Sequence, residues 1–191
     1  MSHPLARGLN ELTAALTALR IPFVVGGSLA SSAHGVLRST FDGDLLAVIL
    51  PVQIPRLVEA LGKDWYADSE LIRQSLERGR GFNLIHMTTA SKFDVFPASS
   101  DFHTSQLQRA KLTPLRLEGA DLCPVATPED ILLAKLSCYR EGGESSEVQW
   151  RDIAGILVIN PDLDWKYVNL WAARLRVSDL LEKARADAQP L

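Results

Sequence analysis

The sequence predicts an α/β chain, α+β in the order of its elements. We expect a small mixed β-sheet core with helices on one outer face, followed by a C-terminal helical subdomain. Three observations predict it. Short apolar and β-branched runs alternate with segments of helical spacing through the first two thirds of the chain. One such run, Phe23-Val24-Val25, stops at Gly26-Gly27-Ser28 and passes directly into helix-compatible residues. From Thr127 onward the patterns are helical, so we place a boundary at about residue 126 and expect units 1–126 and 127–191.

In chain order, apolar residues at 5, 9, 12, 16 and 19 predict a first amphipathic helix. Phe23 to Val25 is a buried strand, and Leu29 to His34 a helix with Gly35 just past its end. Leu45 to Leu50 is the most apolar run and predicts a strand ended by Pro51. A helix over Ile54–Leu61 closes at Gly62, Trp65–Ala67 is a short strand, and Ser69 caps a helix running to Arg78. Arg78-Gly79-Arg80-Gly81 is a basic turn, open to two readings: a solvated loop or a phosphate contact. Phe82–His86 and Lys92–Phe96 suit an antiparallel hairpin. A loop or short helix at Phe102–Ala110 precedes a strand at Leu115–Leu117, and Leu122–Ala126 is a last short apolar stretch. Thr127-Pro128-Glu129-Asp130 is a strong helix start, with a capping Thr, Pro at the first position and acids in the first turn. Gly142-Gly143 stops that helix. Ser145 or Ser146, Asp164 and Ser178 cap three more.

Chemistry concentrates around the first strand. Glycines after a strand let another group approach the backbone, and a helix start presents free amides, so Gly26, Gly27 and Ser28 read as an anion-binding turn. Asp42 and Asp44, two apart, point to one face of a strand. Two carboxylates at the mouth of a buried strand repel unless a cation sits between them, and hard Mg²⁺ takes carboxylate and phosphate oxygens. Asp42-Gly43 is equally a hairpin-turn signal, which would leave both acids solvated. Asp94, in an otherwise buried strand, needs a partner: a metal, or a salt bridge to Lys92 or an arginine. His34 reads as a packing histidine.

These residues resemble the nucleotidyltransferase superfamily of DNA polymerase beta, in particular its small bacterial, abortive-infection type. The resemblance runs from about residue 20 to 160: Gly26-Gly27-Ser28, a helix, Asp42-x-Asp44, a third acid at Asp94, then Thr-Pro-Glu-Asp…Lys135 and Arg151-Asp152. It implies that Asp42, Asp44 and Asp94 hold Mg²⁺ (or Mn²⁺), with Asp94 also the general base. It implies a nucleotide-binding set of Gly26, Gly27, Ser28, Arg38, Thr40 and Lys135, with Asp152 as a matching acid. The residues alone leave Arg38 and Thr40 open to a solvated-Arg and turn-Thr reading, and Lys135 to a snorkelling surface role. Gly43 departs from the pattern, where a branched apolar residue is usual. The implied substrate is an NTP such as ATP, the acceptor an RNA, a protein side chain or a small molecule, and a further partner an antitoxin.

A net charge of −3 gives no global basic field for nucleic acid. Cys123 and Cys138 lack metal-ligand spacing and read as core or near-core thiols in a reduced, cytoplasmic protein. We expect no leader and no membrane span. Two function classes follow: a metal-dependent nucleotidyltransferase, or a non-catalytic relative that binds nucleotide or protein. A metal hydrolase is disfavoured because the four histidines are scattered.

Overall fold

Leu5, Leu9, Leu12 and Leu16 recur at helical spacing and are buried along one side of α1 (Pro4–Ala18). This stripe covers the sheet of the computed structural model, which describes residues 3–36 and 40–188. The strands are β1 (Phe23–Val25), β2 (Asp42–Ala47), β3 (Trp65–Tyr66), β4 (Phe82–His86), β5 (Ser91–Pro97), β6 (Lys111–Thr113) and β7 (Cys123–Val125). They form one mixed sheet in the order β3-β4-β5-β2-β1-β7-β6. β2 runs parallel to β5, and β1 parallel to β7; the other neighbours are antiparallel.

Between them lie α2 (Gly27–Ala33), α3 (Ile54–Leu61), α4 (Ser69–Glu77) and α5 (Asp101–Arg109). After β7 come α6 (Pro128–Glu141), α7 (Glu147–Ile159), α8 (Trp165–Arg174) and α9 (Ser178–Asp187). α6 packs against α2, α7 and α8, so the C-terminal helices are joined to the sheet through the helix that follows the glycine turn. α2 ends as expected at Gly35 (φ 104°). The Val36 N–H donates to Ser31 O and the Gly35 N–H to Ser32 O, a Schellman closure. Thr127 caps α6 as its sequence indicates, accepting from Asp130 N.

Several expectations are corrected. The strand placed at Leu45–Leu50 begins at Asp42 and ends at Ala47. Its paired residues end at Phe23 of β1 and Pro97 of β5, one last N–H of Val48 donates to Pro22 O, and Leu50 is exposed. Asp42-Gly43 is therefore ladder, not a hairpin turn. The strand at Leu115–Leu117 is instead Lys111–Thr113, because that segment reaches the antiparallel edge of β7; Leu115 is a core plug on the loop. Asp68, not Ser69, caps α4: its carboxylate accepts from Glu70 N and Leu71 N at 2.8 and 3.0 Å. Val177, not Ser178, precedes α9. Cys123 is buried, but Cys138 lies on an exposed side of α6.

Phe93 explains the unusual Gly43. In the parallel register Gly43 is opposite Phe93, whose ring is fully buried and packs against Trp65 with centroids 5.5 Å apart. A Cβ at residue 43 would stand 2.7 Å from Phe93 Cδ1, and one at Gly8 of α1 would stand 2.9 Å from Phe93 Cε2. Two glycines thus make the slot for one ring. Gly43→Val is expected to destabilise by about 1–3 kcal/mol through overpacking. Adding Phe93→Leu should return part of that loss, a coupling readable in urea unfolding of the four-member mutant cycle; strictly additive losses would refute the slot.

Candidate active site

β1 ends at the bend and hands the chain to α2 through Gly26 and Gly27. Gly26 occupies the N-cap position of α2 and so offers no side chain to the first helical amides. Its own N–H donates to the backbone oxygen of Asp44 at 2.9 Å. Gly26 therefore contributes the turn rather than a free amide. Gly27 is glycine for two reasons. Its φ is +55°, and a Cβ there would fall 1.8 Å from Asp44 Oδ2. The Asp44 carboxylate lies directly against the bend.

The register of β2 and β5 brings the acids together. Asp42 is opposite Lys92 and Asp44 opposite Asp94. The Lys92 ammonium stands 3.0 Å from Asp94 Oδ2 and 3.9 Å from Asp42 Oδ2. Asn83, opposite Asp94 on β4, donates its amide to Asp94 Oδ1. Asp94 thus has the Lys92 salt bridge its sequence left open, and it also faces Asp44. Among the described residues, no group of three or more His, Cys, Asp and Glu side chains is gathered tightly enough to hold a metal ion.

Burial raises the Asp44 carboxyl above the usual range; the charges of Asp94 and Asp42 add to this, and Lys135 and Lys92 oppose it. The hydrogen bond to Asp94 in turn holds the Lys92 ammonium above its ordinary value. Lys135, two turns into α6, is largely buried and donates to Asp152 Oδ2 of α7 at 2.9 Å. It is therefore not a snorkelling surface lysine; its charge reaches Asp44. Thr40 acts on the backbone beside the site: its hydroxyl donates to Asp42 O at 3.0 Å and accepts from Asp42 N at 3.3 Å. His34 packs as expected, Nε2 lying 2.9 Å from Ala126 O. The Arg78–Gly81 turn is exposed. Arg38 lies outside the described residues.

Asn83 escaped the sequence reading, and Lys92 entered it only as a partner for Asp94. A signal for Asn83 existed. The short connection between β4 and β5 pairs His86 with Ser91, and counting back along that hairpin sets Asn83 beside Asp94.

This fold is one that nucleotidyltransferases use. The solution structure of the antibiotic-resistance factor ANT(2'')-Ia is similar, with a TM-score of 0.56 and 16% identity over 99% of this chain and 100% of that one. A crystal structure of ANT(2'')-Ia in complex with adenylyl-2''-tobramycin matches with a TM-score of 0.54 and 14% identity, covering 90% of this chain and 96% of that one. An antigenic nucleotidyltransferase-like protein from Paracoccidioides brasiliensis gives a TM-score of 0.56 and 21% identity over 97% and 94% of the two chains. At these identities the likeness is one of fold. No family model and no curated protein sequence matches the chain.

The raised Asp44 carboxyl has a consequence for stability. Its folded pKa lies above its unfolded one, so the native state holds the proton more tightly, and stability is lost as pH rises from the ordinary carboxylate range through the folded value. In EDTA, Asp44→Asn should therefore raise Tm at pH 7, and the gain should shrink as the pH is lowered through the carboxylate range. A variant less stable than the wild type at pH 7 would contradict this electrostatic account.

Proposed function

We propose that the chain is a metal-dependent nucleotidyltransferase that moves an NMP group from an NTP to a hydroxyl acceptor. One observation carries the reading: the Asp44 carboxylate lies against the Gly27 bend and, across parallel strands, opposite Asp94. Negative side chains and a backbone built for close approach share one place. The donor set of carboxylate oxygens suits Mg²⁺ or Mn²⁺. Mg²⁺ commonly binds through one or two carboxylates plus substrate phosphates, so a ready-made cage of three ligands is not required. Asp42, Asp44 and Asp94 would be the ligands. A metal bound there supplies charge neutralisation of the triphosphate and stabilises in-line displacement.

The remaining roles fall to the chain's own groups. The N-terminal amides of α2 at Gly27 and Ser28 cradle the β- and γ-phosphates, and Lys135 adds positive charge from the helical side. Asp94 accepts the proton of the attacking hydroxyl. The hydroxyl oxygen then bonds the α-phosphorus, and the bond to the bridging oxygen breaks to release pyrophosphate. Thr40 holds Asp42 in place through its backbone, and Arg38 is assigned to phosphate. We assign the reaction to unit 1–126 and the closing of one side of the cleft to unit 127–191, which contributes Lys135 and Asp152.

The order of motifs through Lys135 and Asp152 supports the abortive-infection type, with an antitoxin as partner and the cytoplasm as setting. The acceptor is RNA, a protein side chain or a small molecule. A nucleotide-linked small molecule occupies one fold relative, which supports the last. The second reading, a non-catalytic nucleotide-binding relative, is favoured by the ammonium of Lys92 lying among the acids.

Incubation with each labelled NTP, Mg²⁺ or Mn²⁺ and a cell extract separates the two. Label transfer is expected for the wild type, with a fall of at least about a hundredfold for Asp42→Asn, Asp44→Asn or Asp94→Asn, the scale on which metal-site groups act. Equal transfer by wild type and Asp42→Asn would refute the metal-site assignment. Nucleotide binding without transfer would establish the second reading.

A further inference from the structure

Lys92 sits two residues before Asp94, on the same face of β5, and directly opposite Asp42. Its ammonium spans the two acids, at 3.0 Å from Asp94 Oδ2 and 3.9 Å from Asp42 Oδ2. The other Asp94 oxygen accepts the Asn83 amide. Both oxygens of Asp94 are thus engaged, Oδ2 by a cation that also approaches Asp42. A divalent ion binding there needs a carboxylate oxygen at about 2.1 Å, inside the space that an ammonium in hydrogen-bond contact fills. The ammonium therefore competes with a divalent ion for the same oxygens.

Lysine is suited to yield. The Lys92 side chain is 40% exposed, on a flexible four-carbon stem, so its head can swing into water. One ammonium is also an incomplete answer to three carboxylates. With Asp42, Asp44 and Asp94 ionised, Lys92 leaves the group doubly negative, and Lys135 is itself matched by Asp152.

We propose, resting on the metal-site reading above, that Lys92 is a built-in competitor cation: it fills the Asp42–Asp94 position in the free protein and must leave when a divalent ion enters. Lys92 is then a positioning residue. It weakens binding of a bare metal ion and makes metal entry favourable chiefly when phosphates arrive with it.

The test is Mn²⁺ binding without nucleotide, followed by the EPR signal of free Mn²⁺, on wild type, Lys92→Met, Lys92→Arg and Asp42→Asn. Lys92→Met keeps the stem and removes the charge. It should bind Mn²⁺ about three- to fivefold more tightly, the range that a half-exposed ion pair supports. Lys92→Arg, which retains the charge, should stay within about twofold of wild type on the same scale. The rise in Tm on adding Mg²⁺ should be larger for Lys92→Met than for wild type. Lys92→Gln gives the same reading if the methionine variant fails to fold.

If Lys92→Met binds no more tightly while Asp42→Asn abolishes binding, the competitor role is wrong and the metal-site reading stands. If no variant binds millimolar Mn²⁺ without nucleotide, the competitor role is wrong; if none binds it with an NTP present either, the metal-site reading falls as well.

Discussion

The parallel register of β2 and β5 imposes the constraint on which the rest of the site depends. It sets Asp44 opposite Asp94, with Asp42 one step along the same face. Neighbouring strands lie about 4.8 Å apart, close enough for carboxylates on facing residues to repel each other. The Asp44 carboxyl is raised because burial, and after it the charges of Asp94 and Asp42, outweigh Lys135 and Lys92. A site built this way holds its negative charge at a cost, and that cost is the electrostatic ground for the dication of the proposed function.

Space as well as hydrogen bonding aims those carboxylates. Gly27 and Gly43 flank Asp44 from two sides and are glycine for different physical reasons. At Gly27 the backbone is left-handed and the Asp44 carboxylate occupies the Cβ position. At Gly43 the backbone is ordinary strand, and the Phe93 ring from the same strand as Asp94 takes the room. Gly43 is thus the counterpart of a buried aromatic, not a weakness in the strand. Since Phe93 and Asp94 are adjacent, seating the ring fixes the direction in which Asp94 emerges.

How far this was legible in the sequence follows from what period and punctuation report. Helix stripes such as Leu5–Leu16 and stops such as Gly35 and Gly142 carry their own local signals, and those elements stand where periodicity set them. The β4–β5 hairpin was readable for the same reason. Strand ends were not: β2 stops at Ala47, where its pairing with Phe23 of β1 and Pro97 of β5 ends, a fact about its neighbours that no residue of β2 encodes. β6 likewise lies where β7 has a free edge. Caps failed where two polar residues were adjacent, as at Asp68 and Ser69, since either side chain fits the position. Asp42 and Asp44 were legible as a pair through their spacing, whereas Asp94 joined them only through the family resemblance; the register sets it opposite Asp44. Lys92 was harder to see, because a lysine on a strand reads as solvated until the register shows what lies opposite.

The C-terminal helices belong to the same electrostatic problem. Lys135 opposes the rise of the Asp44 carboxyl, so its distance from the sheet matters, and that distance is set by how α6 is anchored. The anchor is Asp130, fully buried in the first turn of α6. Its carboxylate accepts from Tyr167 of α8 at 2.5 Å and from Thr127 at 2.9 Å, while Arg109 of α5 approaches within 3.5 Å and lies over the Tyr167 ring. A buried carboxylate with fewer partners would destabilise the fold, so these contacts hold the helix start in one place along its axis. Five residues on, about 7.5 Å along the helix, that fixed start delivers Lys135 to Asp152 and to the field of Asp44. A network that looks purely structural at one end of α6 thereby sets the position of charge at the other, and sheet and helices act on the same carboxylate from opposite ends of the chain.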